Sequence, residues 1–341
     1  MRIILATAFT ALSAVSFAQN DSSAIFLQKG LQEKGKGRTL EAYKQFDKAY
    51  SYNKANKEVV NELANSLVSL RRYAQAREKF LELEKLGDKS ADTYKQLMTI
   101  SFNMRQYPDA IKYAGLVKQT NPAEKVAYYV GKAHYDNENY GEAIKQLTVA
   151  MQEDPANAEA PYMIARAYSD MNNHKQAAPF FEKAIALQPD NARWMYELGL
   201  IYYAIPDDKN SLKYLLMAGE KGLRRDNEYL ENLAIAYLNN KQYDRGMEIM
   251  KESLIRRPSD MNLLGMMAEA SYDAKKYDDA IGYWDQVLSL DKQNASALYM
   301  IGMSYQKKGE KQKGMALCDK AIEMDPNLSK NRQKVEMPGG M

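Results

Sequence analysis

The chain has 341 residues, 45% hydrophobic and 27% charged, which is a soluble globular balance. Lys and Arg total 47 against 44 for Asp and Glu, and a net +3 builds no dense positive field, so nucleic acid is not an expected partner. Cys318 is the single cysteine, so no intrachain disulfide can form and packing alone must stabilise the fold.

In chain order, the first predicted element is a secretory signal over residues 1–18. Arg2 gives it a positive start, Ile3 to Val15 is short and mostly apolar, and Ser16-Phe17-Ala18 precedes the expected cleavage before Gln19. The apolar run is too short to span a bilayer, and no other segment is apolar for long enough either, so no integral membrane segment is expected after its removal. No Cys lies near the cleavage point to carry a lipid. An exported chain without disulfides favours a bacterial periplasm over a eukaryotic secretory route, with release from the cell as the alternative.

After the signal, small residues recur. Gly30, Ala64, Met98, Gly131, Ala165, Gly199, Ala234, Ala268 and Gly302 are spaced 33 to 35 apart. Twelve residues after each stands another small residue, from Ala42 and Ala76 through to Ala280 and Gly314. In five units a proline closes the pattern: Pro122, Pro155, Pro189, Pro258 and Pro326. The physical reading is a helical hairpin. The two small residues let the helices approach closely, because side-chain volume sets the distance between helix axes. Proline ends the second helix, since it disfavours helix at the residue before it. The turn in one unit is expected at Ala133 to Tyr140, and each helix should run about 12 to 14 residues, about 20 Å. Pro161 and Pro179 fall early in their helices, where the missing amide donor costs nothing.

This spacing resembles the tetratricopeptide repeat, whose unit is about 34 residues. The best-matching unit carries Tyr128, Gly131, Tyr135, Tyr140, Ala143, Ala150 and an Asp154-Pro155 close. The expected fold is all-α, a solenoid of about nine helix-turn-helix repeats at 23–56, 57–90, 91–123, 124–157, 158–191, 192–226, 227–260, 261–294 and 295–328, with a short polar tail at 329–341. The resemblance implies a right-handed superhelix with the first helices on its concave side. In unit 192–226 the closing proline is replaced by Leu223, and Gly219 and Gly222 fall in the second helix. That marks 205–226 as either a softer joint or a tolerated variant.

The resemblance also implies which places face inward: the second, fifth, sixth, ninth and twelfth of each unit. In the middle units these hold Lys125, Tyr128, Tyr129, Lys132 and Tyr135, then Glu159, Tyr162, Met163 and Arg166, then Arg193, Tyr196, Glu197 and Tyr203. Tyr and Arg give rigid, amphipathic contact area, so Tyr128, Tyr129, Lys132, Tyr135, Tyr162, Arg166, Arg193, Tyr196 and Tyr203 are the candidate groove for a protein or extended peptide. The bland alternative for any one Tyr is packing between units. Later units add Met266, Tyr272, Tyr299, Met300 and Met303, and Met-rich surfaces repack to suit varied partners. The family's clamp for chaperone carboxylates is not assembled: Asn61 stands where it needs Lys beside Asn65, and Thr99 where it needs Asn beside Lys95.

No catalytic constellation stands out, and no cofactor or metal is expected. His134 and His174 fall in structural columns, and Cys318 occupies the place of Phe46, Phe80 and Phe181. At the end of the array, Met315, Cys318 and Ile322 lack an extra covering helix. Either Val335 and Met337 fold back over them or a second chain docks there, a route to self-association through the C-terminal repeat. The expected function is an exported, non-enzymatic binding scaffold in the cell envelope. The alternatives are a structural subunit of an envelope assembly using its ends and convex face, or an enzyme or carbohydrate-binding protein using the tyrosines.

Overall fold

The computed structural model describes residues 21–330; the signal at 1–18, and Val335 and Met337 of the tail, lie outside the described residues. Helix α1 covers 21–35. It is followed by α2 (Thr39–Tyr52), α3 (Lys57–Ser69), α4 (Tyr73–Lys85), α5 (Ala91–Asn103), α6 (Tyr107–Thr120), α7 (Ala127–Asp136), α8 (Tyr140–Glu153) and α9 (Glu159–Asp170). Then come α10 (His174–Leu187), α11 (Ala192–Ala204), α12 (Asp208–Glu220), α13 (Asn227–Asn239), α14 (Tyr243–Arg256), α15 (Met261–Asp273), α16 (Tyr277–Leu290), α17 (Ala295–Lys308) and α18 (Lys311–Met324), closed by a 3-10 turn at Pro326–Leu328. Among the described residues there is no strand, and the fold is all-α. The chain forms two compact units, one ending at Asn173 and one beginning at His174. Within each unit, helices pack on the helices next to them in sequence.

Six first helices start at a side-chain cap. Asn56, Ser90, Asn191, Asp226, Asp260 and Asn294 each accept a hydrogen bond from a first-turn amide. Such a cap contributes about 1 kcal/mol. The place is Ala123 before α7, which starts late and has only 10 residues. There the amide of Ala127 donates instead to Glu153 Oε2, 3.1 Å away on α8.

Eight of the nine described first helices end in the same way. The N–H of Arg72 donates to Leu67 O and that of Arg71 to Val68 O, with Arg71 in the left-handed region at φ 58°. This is the paired-bond helix stop that satisfies the last carbonyls. The place is left-handed again at Arg105, Glu138, Asn172, Lys241 and Lys275, and at Gly37 and Gly309. The turn is therefore three residues, and in the fourth repeat it is Asn137-Glu138-Asn139. Ala133 to Asp136 belong to α7 and Tyr140 opens α8, which corrects the longer turn expected there. In the repeat 192–226 the place is Pro206, which cannot adopt a positive φ, and its amide bond is lost.

Second helices end by one of two devices. Where proline closes the unit, the residue before it is extended or nearly so, as at Asn121 and Asp154. Where proline is absent, α2 and α16 still end on an extended residue, Asn53 and Asp291, whereas in 57–90 and 192–226 Gly87 and Gly222 stand at φ 86° and 87°. Gly222 thus lies beyond α12 rather than inside it, and Gly219 leaves room for the Tyr229 hydroxyl. Pro179 is the sixth residue of α10, well inside the helix, so its missing amide does remove a helical bond.

The core rests on an exchange of volume between the two helices of a hairpin. A Cβ on Gly131 would lie 2.6 Å from Leu147 Cγ, and one on Gly199 2.8 Å from Leu215 Cγ. The small residue therefore receives a large side chain sixteen places later, besides facing the small residue twelve places later. In the third repeat the order inverts: Met98 is large, Ala114 is small, and both are fully buried. Cys318 fills the other place of this pair, against Gly302, is buried, and packs with Tyr299 and Ala321. Leu328, brought over by the 3-10 turn, packs on the same cluster, so Cys318 is covered and only Met315 stands open.

Candidate functional site

The first unit carries the denser aromatic face. Phe102 near the end of α5 meets Tyr129 of α7 edge to face at 6.2 Å, and Tyr129 meets Tyr128 at 5.8 Å. Phe102 also meets Tyr107 of α6 at 6.2 Å. Four rings thus form one run, and Lys132 Nζ sits 5.8 Å from the Phe102 ring while pairing with Asp136 at 3.6 Å. Edge-to-face pairs of this kind add about 0.5–1.5 kcal/mol beyond area burial. The irregular approach to α7 is fixed by Lys118, whose ammonium donates to Pro122 O, Glu124 O and Glu153 Oε1 at 2.7–3.0 Å. Glu153 in turn holds the first amide of α7, so this pair sets where Tyr128 and Tyr129 stand.

Burial, and next the charge of Glu159, push Tyr128 up to about 12. Tyr135 is also held well above the usual phenol range, first by burial and then by its hydrogen bond to Asp170 Oδ2 at 2.6 Å. Its ring lies 5.6 Å from Tyr140. On α9, Arg166 Nη1 donates to the Tyr162 hydroxyl at 3.1 Å, with the guanidinium 6.0 Å from that ring. Met163 is buried and offers no surface, and Lys125 pairs with Asp154 at 3.5 Å.

The second unit carries the other three sequence candidates, in different roles. Tyr196 is 3% exposed. Its hydroxyl donates to Glu228 Oε1 at 2.9 Å and accepts from Asn232 Nδ2 at 2.8 Å, so it is a wall residue between α11 and α13. Burial is the main cause of its raised ionisation, to about 12. Arg193 lies over the Tyr196 ring at 5.5 Å and donates to Glu197 at 2.9 Å. Tyr203 is exposed. Beside it is a tyrosine pair that sequence reasoning missed: Tyr202 and Tyr214 stack at 5.6 Å and both donate to Glu182 Oε1. Tyr299 is buried, whereas Met266, Tyr272, Met300 and Met303 are half-buried.

The arrangement has the chemistry of a contact surface. No group of three or more His, Cys, Asp or Glu among the described residues could hold a metal ion. No described helix is long and apolar enough to cross a membrane.

A sequence family described as anaphase-promoting complex, cyclosome, subunit 3 matches residues 103–203 and 208–287, together more than half of the chain, and a tetratricopeptide-repeat family matches residues 295–328. The chain belongs to the tetratricopeptide-repeat superfamily. Tetratricopeptide-repeat proteins are typically interaction scaffolds rather than catalysts. Among similar proteins, interferon-induced protein with tetratricopeptide repeats 2 of Cricetulus griseus is 25% identical over 215 residues, 61% of this chain and 45% of that protein. The chain therefore spans about half the length of that relative. Type IV pilus assembly protein PilF of Pseudomonas aeruginosa is 24% identical over 184 residues, 54% of this chain and 73% of that one. Of solved structures, YrrB, described as a tetratricopeptide-repeat protein with an unusual peptide-binding site, is 21% identical, with a TM-score of 0.45 over 55% of this chain and 97% of that chain.

Proposed function

We propose that this chain is an exported interaction scaffold that holds an extended segment of a partner protein against the first-helix face of its first unit. The observation that carries this reading is the run Tyr107–Phe102–Tyr129–Tyr128 with Lys132 beside it, and the Tyr162–Arg166 pair on α9, the next first helix. Such a surface offers flat apolar area, hydroxyl donors and cations without a catalytic group, which suits backbone and carboxylate contacts along a peptide. The exported setting rests on the character of residues 1–18, and a pilus assembly protein among the relatives agrees with it.

The test is affinity capture from an envelope extract of the source cell. It compares the chain with Tyr128→Ala and, separately, with Lys132→Glu, which reverses the charge beside Phe102 without removing a ring. Tyr203→Ala in the second unit is the control, and circular dichroism checks that all are equally helical. A partner lost by both first-unit variants and kept by Tyr203→Ala supports the reading. A partner kept by all three rejects it. N-terminal sequencing of the recovered chain tests export, with Gln19 as the expected first residue.

A second reading, a structural subunit of an envelope assembly, draws on Ile255. This side chain is 83% exposed near the end of α14, with Leu290 and Met324 exposed at the ends of α16 and α18. A stable large assembly in native extract that survives both first-unit variants would favour it.

A further inference from the structure

Aligning the repeats by their 34-residue register exposes a mismatch confined to the first and last described hairpins. The third place of the repeat holds Val59, Thr93, Val126, Ala160, Trp194, Tyr229, Leu263 and Ala297, and all eight are buried. In the first hairpin the same place is Ile25, 54% exposed. Helix α1 thus presents outward an apolar side chain that every later first helix covers with the repeat before it.

The last hairpin shows the other half. The twenty-first place is buried or half-buried in each of the eight earlier repeats, Ala178, Leu212 and Ile281 among them. In α18 it is Met315, 44% exposed. Elsewhere the following first helix covers this place: Ile281 of α16 shares one buried cluster with Ala297 and Ile301 of α17. Those two residues are the third and seventh places of the next repeat. The third place also closes against a preceding second helix in the first unit, where Ala160 of α9 clusters with Ala150 of α8. Ile25 and Met315 are therefore the two halves of one interface that the array builds between successive repeats. Uncovered apolar repeat ends are costly in water, which is why terminal repeats usually carry a polar outer face.

We propose that the α1 end of one copy seats on the α18 end of a second copy, continuing the repeat-to-repeat packing from chain to chain. The contact is heterologous, since different patches meet. Unless the ends of one assembly meet and close a ring, each added copy offers an open half to the next, so average size rises with concentration.

Sedimentation velocity over a concentration series reads this directly. Ile25→Glu spoils one half and Met315→Glu the other. Both sites are exposed, and unchanged circular dichroism confirms folding. The chain should grow with concentration, and each variant alone should stay monomeric. A mixture of the two should form a one-to-one dimer and nothing larger, because only one pair of intact ends remains. A chain that is monomeric at every concentration overturns the proposal, and is the result expected if residues 331–341 cover Met315 instead. Association that persists in either single variant, or a mixture that stays monomeric, overturns it too.

Discussion

Six residues with side chains hold the left-handed turn place between φ 57° and 61°, and only Gly37 and Gly309 do so without a Cβ. A non-glycine residue there carries about 1–2 kcal/mol of steric cost, partly offset because glycine gains more freedom when unfolded. Lys241 is exposed, so Lys241→Gly should raise stability by about 0.5–1 kcal/mol in urea unfolding, without changing helicity. Gly309→Ala should do the reverse. The tyrosines with raised ionisation make a second expectation. Tyr128 and Tyr196 hold their protons to about 12, against about 10 for a phenol in the unfolded chain. Between those values the folded chain binds more protons than the unfolded one, so stability falls as pH rises through this window and is unaffected by these groups below it. Tyrosinate absorbance should therefore rise in two stages, the second coinciding with loss of helical ellipticity. A single early rise with helicity intact would contradict this.

At the scale of the helix pair, the exchange of volume between facing places is the main specification of the fold. Gly131→Val should destabilise by about 1–3 kcal/mol, because the new methyls meet Leu147. Adding Leu147→Ala should recover part of that, imitating the inverted pair Met98 and Ala114, with a coupling of about 0.5–3 kcal/mol in the double-mutant cycle. These places were legible in the sequence because they recur nine times in register, small in all but the third repeat. The turn was less so. Its signal is a positive φ that Arg, Glu, Asn and Lys fill in six repeats, and glycine marks it only at Gly37 and Gly309. The candidate face was legible only in part. Phe102 stands at the same repeat place as Tyr135 and Tyr203, so the register contained it once the third repeat was read like its neighbours. Tyr196 reads the same as Tyr128 in sequence. What buries it are Glu228 and Asn232, contributed by the next repeat 32 and 36 residues away, beyond any local periodicity.

Over the whole molecule, contacts within each unit run from one helix to the next, so stability is close to a sum of repeat and nearest-neighbour contributions. Ion pairs between neighbouring repeats, such as Arg77–Asp109 and Lys276–Asp244 at 2.5 Å, are partly to largely exposed, so solvent screens them and they add little. The described helices should therefore not unfold as one cooperative block. Leu83→Ala, deep in α4, should cost about 2–5 kcal/mol in its own region. It should leave the hairpin of α17 and α18 as closed as before. The chain carries the means to check this. Cys318 is its single thiol, lies 4% exposed, and packs where a Cβ on Gly302 would touch its Sγ at 2.6 Å. An alkylating reagent can reach that sulfur only when α18 lifts from α17. The rate of covalent labelling is thus a chemical clock for fraying at one end of the array, running in the unmodified protein with no dye or reporter introduced.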